Sequence, residues 1–378
     1  MAHLSRDNLK WGESLRDTIT ERCQQTSKHR YDEQRYPSVS LIIPTFNRVE
    51  FLEKTINSLV DQDYPSERYE IIIVDNNSHD ATLSRAREIC INYDGQKNIK
   101  YIREERQGLV YARHTGAAHA EGEILFFGDD DAIYERNLIS EIVSVYMQHP
   151  NVGAVGTKIL IKWDKEPLPW VHRHEPLMGK LDYGKEVITK VGLFINGGSF
   201  SIKKKVLFAV EGFNVGQKGE YLLGDCETGL CRKLAKQNVL VGWTPNTVMW
   251  HVQIVDKNGT LADIQRRYYN NGIAEAYRIT YHNGGYVEQL KNFVNQTAQW
   301  GASFILFVIN FKDRNFYRNT ILSQAYYRGY IRYIAEYRIN RELREELSYG
   351  DWKLNSTYAA SPVLLMSQSY TTSEKIIE

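Results

Sequence analysis

The chain has 378 residues, enough for one large domain or two modest ones, and 42% of them are hydrophobic, which suffices for a substantial core. Its formal net charge is +1, so the protein as a whole does not attract nucleic acid electrostatically, and we expect no nucleic-acid partner. The four cysteines form no CxxC pair, which favours reduced thiols in a cytoplasmic protein. Residues 1–7 lack the apolar core of a secretory signal, and no stretch reaches the roughly 20 apolar residues that span a bilayer.

In chain order, buried-strand patterns alternate with helical spacing of apolar residues after a polar N-terminal extension at 1–36. The predicted strands are 39–43, 70–74, 99–102, 124–127 and 152–156, and the predicted helices are 50–61, 80–92, 109–120 and 134–148. This alternation predicts an α/β fold, with a mainly parallel sheet and helices on both faces.

Polar clusters follow three of the predicted strands: Pro44-Thr45, Asp75-Asn76 and Asp129–Asp131. Ligands of such sheets bind beyond the carboxyl ends of the strands. Three adjacent carboxylates repel one another, and their hard oxygen atoms suit Mg²⁺ or Mn²⁺. Taken alone, the triplet would equally suit an acidic turn that caps the next helix. Its agreement with the other two clusters predicts a nucleotide or phosphate site.

The remaining chain divides into three further parts. Residues 162–194 break the alternation and contain Trp163 and Trp170, whose rings would either stack on an acceptor sugar or join the core. Regular order returns at 195–252. We therefore predict a catalytic domain at 37–258, a C-terminal helical region at 259–349 and a loose tail at 350–378.

Four strings in chain order resemble family-two glycosyltransferases. They are VSLIIPTFNR at 39–48, IIIVDNNS at 71–78, RQGL at 106–109 with ARH at 112–114, and EILFFGDDDA at 123–132. The resemblance runs from about 38 to 252. It implies a GT-A type fold, a nucleotide-sugar donor (a UDP-sugar first of all), a divalent cation and inversion at the anomeric carbon. It also implies a hydroxyl acceptor in polysaccharide or glycolipid biosynthesis.

The resemblance assigns roles to individual residues. Asp131 and Asp129 would bind the cation together with His251, which could instead be a hydrogen-bonded structural residue. Asp75 could close its strand in an Asx turn rather than hold the nucleobase and ribose, and Arg113 could pair with a surface acid rather than face the base or diphosphate. The glycines near 198 could mark a bulge instead of a donor-sugar site. The implied nucleotide-sugar site comprises Pro44, Thr45, Asn47, Arg48, Asp75, Asn77, Arg113, Asp129, Asp130 and Gly198.

The catalytic base has two candidates in the string GDCETGLCRKL at 224–234. Aligning the helix by Leu230 and Leu234 with the family pattern puts Glu227 at the catalytic position. Aligning it by the first glycine puts Cys226 there and leaves Asp225 beside it, and a thiol is unsuited to this role. We therefore predict Glu227 as the base, with Asp225 as the alternative. The two acids would not share a helix face.

The helical region has a basic and aromatic composition. Residues 312–344 contain eight Lys or Arg against three acids, interleaved with tyrosines, and an apolar run at 304–309 precedes them. This pattern fits a membrane surface, and a packed helical subdomain with a solvated basic face is the alternative. A lipid-linked acceptor would then place a cytoplasmic enzyme peripherally on the inner face of a membrane.

Two other functions compete with the transferase. A sugar-nucleotide nucleotidyltransferase requires a glycine-rich phosphate loop after the first strand, but residues 44–48 contain no glycine. A non-catalytic nucleotide-sugar-binding module would tolerate loss of the acidic triplet or of the acids near 225–227, and both are retained. The sequence therefore predicts a metal-dependent inverting glycosyltransferase that moves a sugar from a nucleotide-sugar donor to a hydroxyl acceptor.

Overall fold

The computed structural model describes residues 36–93, 98–218, 221–222, 224–282, 286–309, 314–348, 353–354 and 364–366. Residues 1–35 of the predicted extension therefore lie outside the described residues. The strands are β1 Val39–Thr45, β2 Tyr69–Asp75, β3 Ile99–Arg103, β4 Ile124–Gly128, β5 Ala132–Tyr134, β6 Val152–Trp163, β7 Ile188–Val191, β8 Ser199–Lys203, β9 Gln217–Lys218, β10 Tyr221–Leu222, β11 Leu240–Gln253 and β12 Leu364–Met366.

The α-helices are α1 Val49–Val60, α2 Thr82–Asn92, α3 Leu109–His119, α4 Leu138–Gln148, α5 Lys204–Ala209, α6 Cys226–Lys236, α7 Val255–Asn258, α8 Leu261–His282, α9 Tyr286–Ile309, α10 Arg314–Ile339 and α11 Arg341–Ser348. Two 3₁₀ helices, Ser66–Arg68 and Val171–Met178, lie in connecting segments.

A ten-stranded sheet in the order β12-β3-β2-β1-β4-β8-β6-β11-β5, with β7 beside β11, forms the centre of the fold. Strands β3, β2, β1 and β4 are parallel, as the sequence predicted. The second half is mixed, because β8 runs antiparallel between β4 and β6. The carboxyl ends of β1 and β4 therefore lie side by side, which brings the first polar cluster next to the acidic triplet.

Helices cover both faces of the sheet. Along β1, Leu41 and Ile43 enter a cluster with α1, α2 and α4, while Ile42 enters the opposite cluster with α3 and α6. Burial on both faces explains why the parallel strands are continuous apolar runs rather than alternating ones.

Three elements differ from the sequence expectations. Strand β6 continues to Trp163, because its partner β11 is a 14-residue strand that pairs along it. Helix α4 begins at Leu138, because residues 132–134 form β5 against β11. Residues 364–366, expected within a loose tail, form an edge strand antiparallel to β3.

The C-terminal region is helical, as predicted. Helices α8 and α10 cross closely at Gly272 and Gly329, where an added methyl group would collide with the carbonyl oxygens of Tyr326 and Tyr269 respectively. Helix α9 packs on α10. Among the described residues, no helix combines the length and hydrophobicity needed to cross a membrane.

Candidate active site at the carboxyl edge of the sheet

The acidic triplet forms a tightly held turn after β4. The Thr55 hydroxyl from α1 lies 2.6 Å from the carbonyl oxygen of Asp130 and 2.8 Å from that of Ala132. The Tyr134 hydroxyl lies 3.1 Å from the carbonyl oxygens of Asp129 and Gly198. These contacts fix the backbone, so the three carboxylates point in set directions.

Asp129, Asp131 and His251 converge. One ligand atom from each lies within 4.8 Å of the others. Pairing of β11 with β5 sets His251 opposite Ala132 and thus beside the triplet. The His251 Nε2 atom lies 3.1 Å from Asp131 Oδ1. Two carboxylates and one imidazole are a suitable donor set for Mn²⁺ or Mg²⁺.

The tautomer of His251 follows from its other contact. Its Nδ1 atom lies 2.7 Å from the carbonyl oxygen of Met178, at the end of the second 3₁₀ helix. A carbonyl only accepts, so Nδ1 carries a proton, and Nε2 is the atom that faces the carboxylates. A backbone acceptor of this kind orients a metal-binding imidazole.

Burial and neighbouring charges shift the pKa values of the three aspartates in different directions. Burial and the neighbouring Asp131 carboxylate raise the pKa of Asp129, although His251 opposes this. Burial raises the pKa of Asp130 to about 7 despite the nearby Arg48 guanidinium. Burial acts in the same direction on Asp131, but His251 and Arg48 outweigh it and hold the pKa of Asp131 well below its ordinary value. The predicted principal metal ligand is therefore the most strongly anionic of the three.

Arg48, immediately before α1, supplies positive charge to the triplet. Its guanidinium forms an ion pair with Asp131, and its Nη1 atom lies 3.9 Å from Asp130 Oδ1. The side chain is 39% exposed, so it lies at the surface of the cleft. This position is compatible with its predicted contact with the donor.

The other predicted nucleotide-binding residues lie at or just after the ends of β1 and β2, and the polar groups of Asp75 and Asn77 have internal partners. The Asp75 carboxylate is fully buried and accepts hydrogen bonds from Ser78 N at 2.8 Å, the Tyr101 hydroxyl at 2.7 Å and Arg103 Nη1 at 3.2 Å. Asn77 Oδ1 also accepts from Arg103, at 2.8 Å. These contacts correspond to the turn-closing alternative for Asp75.

The first-strand loop is tied to the same turn. The backbone N–H of Asn47 donates to Ser78 Oγ at 3.0 Å, and Asn47 Oδ1 accepts from His79 N at 2.8 Å. Pro44 and Thr45 are buried at the end of β1. The two loops thus form one rigid wall beside the acidic triplet.

Arg113 is buried and joins three parts of the site. Its Nη2 atom donates to the Gly197 carbonyl at 2.9 Å and lies 3.9 Å from Asp129 Oδ1. Its Nη1 atom lies 3.5 Å from Glu227 Oε2 and 3.2 Å from Cys226 Sγ. The surface-pair alternative therefore does not describe this residue. Arg113 connects the candidate metal-binding carboxylates to the helix that carries the candidate base.

The glycine pair before β8 permits this convergence. A methyl group at Gly197 would lie 2.7 Å from Arg113 Nη2 and 3.0 Å from the Glu227 carboxyl carbon. A methyl group at Gly198 would collide with the Asp129 carboxylate. The pair is thus a close approach of backbone to charged side chains.

The two candidate bases at the start of α6 have different surroundings. Asp225 is 4% exposed, accepts a hydrogen bond from Asn214 Nδ2 at 2.7 Å and forms an ion pair with Arg232. The Glu227 side chain is 27% exposed and points to the Arg113 side of the cleft. Of these two acids, Glu227 combines access with proximity to Arg113 and the acidic triplet.

Sequence reasoning missed Thr55, Tyr134 and Met178. It assigned the glycine pair that includes Gly197 to a donor-sugar site or a bulge, and it did not predict the contact of Gly197 with Arg113. The adjacent glycines were a visible signal for Gly197. The other three act through backbone carbonyl groups or hydroxyls brought together by strand pairing, and no local pattern marks them.

The predicted acceptor loop lies beside the helical region. Trp163 Nε1 donates to Glu175 Oε1 at 3.1 Å. The Trp170 ring is half-buried and lies 5.0 Å beneath the Arg318 guanidinium of α10. Both indoles therefore have internal partners. The 3₁₀ helix that follows them carries Met178, the partner of His251.

Residues 40–210 match the family model described as glycosyl transferase family 2. The match agrees with the family resemblance that the sequence motifs indicated. It is 41% identical over 123 residues to glycosyltransferase AglE of Haloferax volcanii, a match that covers 32% of this chain and 40% of that protein. It is 33% identical over 183 residues to the GalNAc(5)-diNAcBac-PP-undecaprenol beta-1,3-glucosyltransferase of Campylobacter jejuni, covering 47% and 55%.

The chain thus spans about half the length of the curated relatives it matches. Among solved structures, it resembles the mannosyltransferase PcManGT from Pyrobaculum calidifontis in complex with GDP-Man and Mn²⁺, with a TM-score of 0.53 and 18% identity. That superposition covers 86% of this chain and 93% of the other. The predicted family and the GT-A type fold with a C-terminal helical region are confirmed.

Proposed function

We propose that this chain is an inverting glycosyltransferase that moves a sugar from a nucleotide-sugar donor to a hydroxyl acceptor, using a divalent cation. The observation that carries the proposal is the convergence of Asp129, Asp131 and His251 across the cleft from an accessible Glu227, within a family 2 domain. The family match also favours a transferase over a nucleotidyltransferase.

Different residues of the chain would act on the leaving group and on the acceptor. Asp131, Asp129 and His251 would hold the cation, which would neutralise charge on the departing nucleoside diphosphate. Arg48, which lies at the cleft surface beside the triplet, would contact the same diphosphate. Thr45 and the loop held by Asp75 would form the wall against the nucleoside.

Glu227 would act on the acceptor. Its carboxylate would take the proton of the acceptor hydroxyl as that oxygen bonds to the anomeric carbon. The bond from that carbon to the diphosphate oxygen breaks, and the electron pair leaves with the nucleoside diphosphate. Attack opposite the leaving group inverts the anomeric configuration. Arg113, buried beside Glu227, would orient that carboxylate.

The donor class is a UDP-sugar in this proposal, and a lipid-linked oligosaccharide is the acceptor class. The name of the Campylobacter jejuni relative includes an undecaprenol diphosphate acceptor, which supports the second part. The chain would then work at the cytoplasmic face of a membrane.

The test is a thermal-shift screen of the purified protein with UDP, GDP and their sugars, with and without Mn²⁺. A ligand at 100 times its dissociation constant stabilises a protein by about 2.7 kcal/mol. We expect stabilisation that requires both a nucleotide and the cation. GDP-sugars are essential comparators, because the solved mannosyltransferase binds GDP-Man. No nucleotide-dependent stabilisation in either condition would refute the proposal.

A further inference from the structure

Helix α9 carries an exposed apolar stripe along its length. Val287, Val294, Ile305 and Val308 are 65%, 59%, 64% and 70% exposed, and Phe304 is 48% exposed. The spacing of the four aliphatic residues places them on one side of the helix, and Phe304 lies at the margin of that side. The 24 residues of α9 make this side about 36 Å long at 1.5 Å per residue. Soluble monomers rarely leave so long an apolar strip uncovered.

The opposite side of α9 forms its contact with the protein. Phe293 packs against the apolar cluster of α8 and α10, and the Tyr327 hydroxyl of α10 donates to Gln299 Oε1 at 2.8 Å. The stripe therefore faces away from α10. Gly301 lies on the stripe side, where no heavy atom lies within 4 Å of an added methyl group. Within the described part of the chain, the stripe has no covering element.

The net charge of the segment that carries the stripe selects the class of partner. Within α9, charge is confined to Glu288 and Lys291, both in its first two turns. Over α9, the connecting segment and α10, residues 286–339, the sequence contains seven Lys or Arg and three acidic residues. An exposed apolar helix face in a segment of net positive charge is typical of helices that lie in the interface of an anionic bilayer.

The stripe ends on the side of the candidate active site. Helix α9 ends at Ile309 and α10 begins at Arg314, so these residues are at most about 19 Å apart. One turn further, Arg318 stacks on Trp170, at the start of the 3₁₀ helix whose last residue contacts His251. A surface bound to α9 would therefore lie beside the segment predicted to receive the acceptor.

We propose that α9 lies flat in an anionic membrane surface, with this stripe buried at the boundary between headgroups and acyl chains. The inference deepens the proposed function and rests on it for the lipid-linked acceptor. It identifies the part of the molecule that would hold the cleft next to that acceptor. Membrane binding itself requires no sugar and no catalytic residue.

The test is flotation with vesicles of phosphatidylcholine, alone or with about a quarter phosphatidylglycerol, at low and high salt. The test variant is the double substitution Ile305→Glu with Val308→Glu. The matched control is Ile91→Glu, because Ile91 is 72% exposed and lies on α2, in the other half of the protein. Circular dichroism and light scattering establish that each variant is folded and give its oligomeric state.

We expect the wild type to bind the anionic vesicles in a salt-sensitive way. Partitioning of the double variant into the vesicles should fall at least about tenfold, because two apolar side chains that would lie in the membrane become charged. The Ile91→Glu variant should bind like the wild type. Two results would overturn the inference: absence of wild-type binding, or full binding by the double variant. A wild-type dimer that ignores vesicles, and becomes monomeric in the double variant, would identify the stripe as an interface between copies instead.

The donor screen without vesicles separates this inference from the proposed function. Nucleotide-dependent stabilisation with no vesicle binding refutes only the membrane surface. Vesicle binding with no nucleotide response refutes only the transferase.

Discussion

The sheet edge and the C-terminal helical region use charge in opposite ways. At the sheet edge, buried carboxylates are crowded so closely that burial and repulsion raise the pKa of Asp129 and Asp130. In the helical region, basic residues outnumber acidic ones, and a long apolar face is left uncovered. A cluster of unfavourably buried carboxylates is typical of a site that binds a small cation. An uncovered apolar face is typical of a site that binds a large partner surface.

This contrast predicts that substitutions in the two regions affect different measurements. Changes at the sheet edge should abolish transfer with little effect on folding. Changes in the helical region should alter stability or localisation and leave the chemistry of each folded molecule intact.

The largest expected effect is that of Glu227→Gln. The amide keeps the shape of the side chain but cannot accept the proton, and loss of a general base typically costs about 10²–10⁴ in rate. Donor affinity should be nearly unchanged, as measured by thermal shift with the nucleotide and Mn²⁺. Transfer at the wild-type rate would remove this segment from the active site.

Asp131→Asn comes next. Loss of one anionic ligand should weaken cation binding by at least about 10–100-fold, by comparison with changes to residues around metal ligands. Binding is measured by electron paramagnetic resonance of Mn²⁺, and transfer should fall in parallel. Asp256→Asn is the control, because the Asp256 side chain is 77% exposed and forms its ion pair with the surface residue Lys165. Full activity of Asp131→Asn, or of the wild type in excess chelator, would contradict the metal assignment.

Asp225→Asn should be milder. Its carboxylate holds Asn214 and Arg232 rather than facing the cleft, so transfer should fall by less than about tenfold, below the general-base range. The free energy of unfolding should decrease by about 1–3 kcal/mol through the weakened buried network, as measured by urea denaturation. If Asp225→Asn reduced transfer more than Glu227→Gln did, the alternative alignment of this helix would be correct.

The sequence predicted the strand ends well because its signals there are local. The run Ile124–Phe127 and the three following aspartates predicted both a buried strand and its carboxyl edge. The placement of Met178 beneath His251 was not predictable, because it depends on where a 3₁₀ helix meets β11. The exposure of α9 was also not predictable, because its apolar run is equally typical of a helix that is buried in the core. Only packing of its other face on α10 distinguishes the two.

A pair of glycine substitutions tests the helical region with the smallest effect on transfer. Gly329→Ala would drive a methyl group into the Tyr269 carbonyl oxygen, forcing α8 and α10 apart. Such overpacking typically costs 1–3 kcal/mol. Gly301→Ala meets open space on the exposed face of α9, where alanine should stabilise the helix by about 1 kcal/mol. The free energies of unfolding, measured by urea denaturation, should therefore change in opposite directions.

Transfer per folded molecule to a soluble acceptor should remain at the wild-type level in both variants, because neither glycine lies near the cleft. A large loss of turnover in folded Gly329→Ala would show that the helical region shapes the catalytic cleft directly.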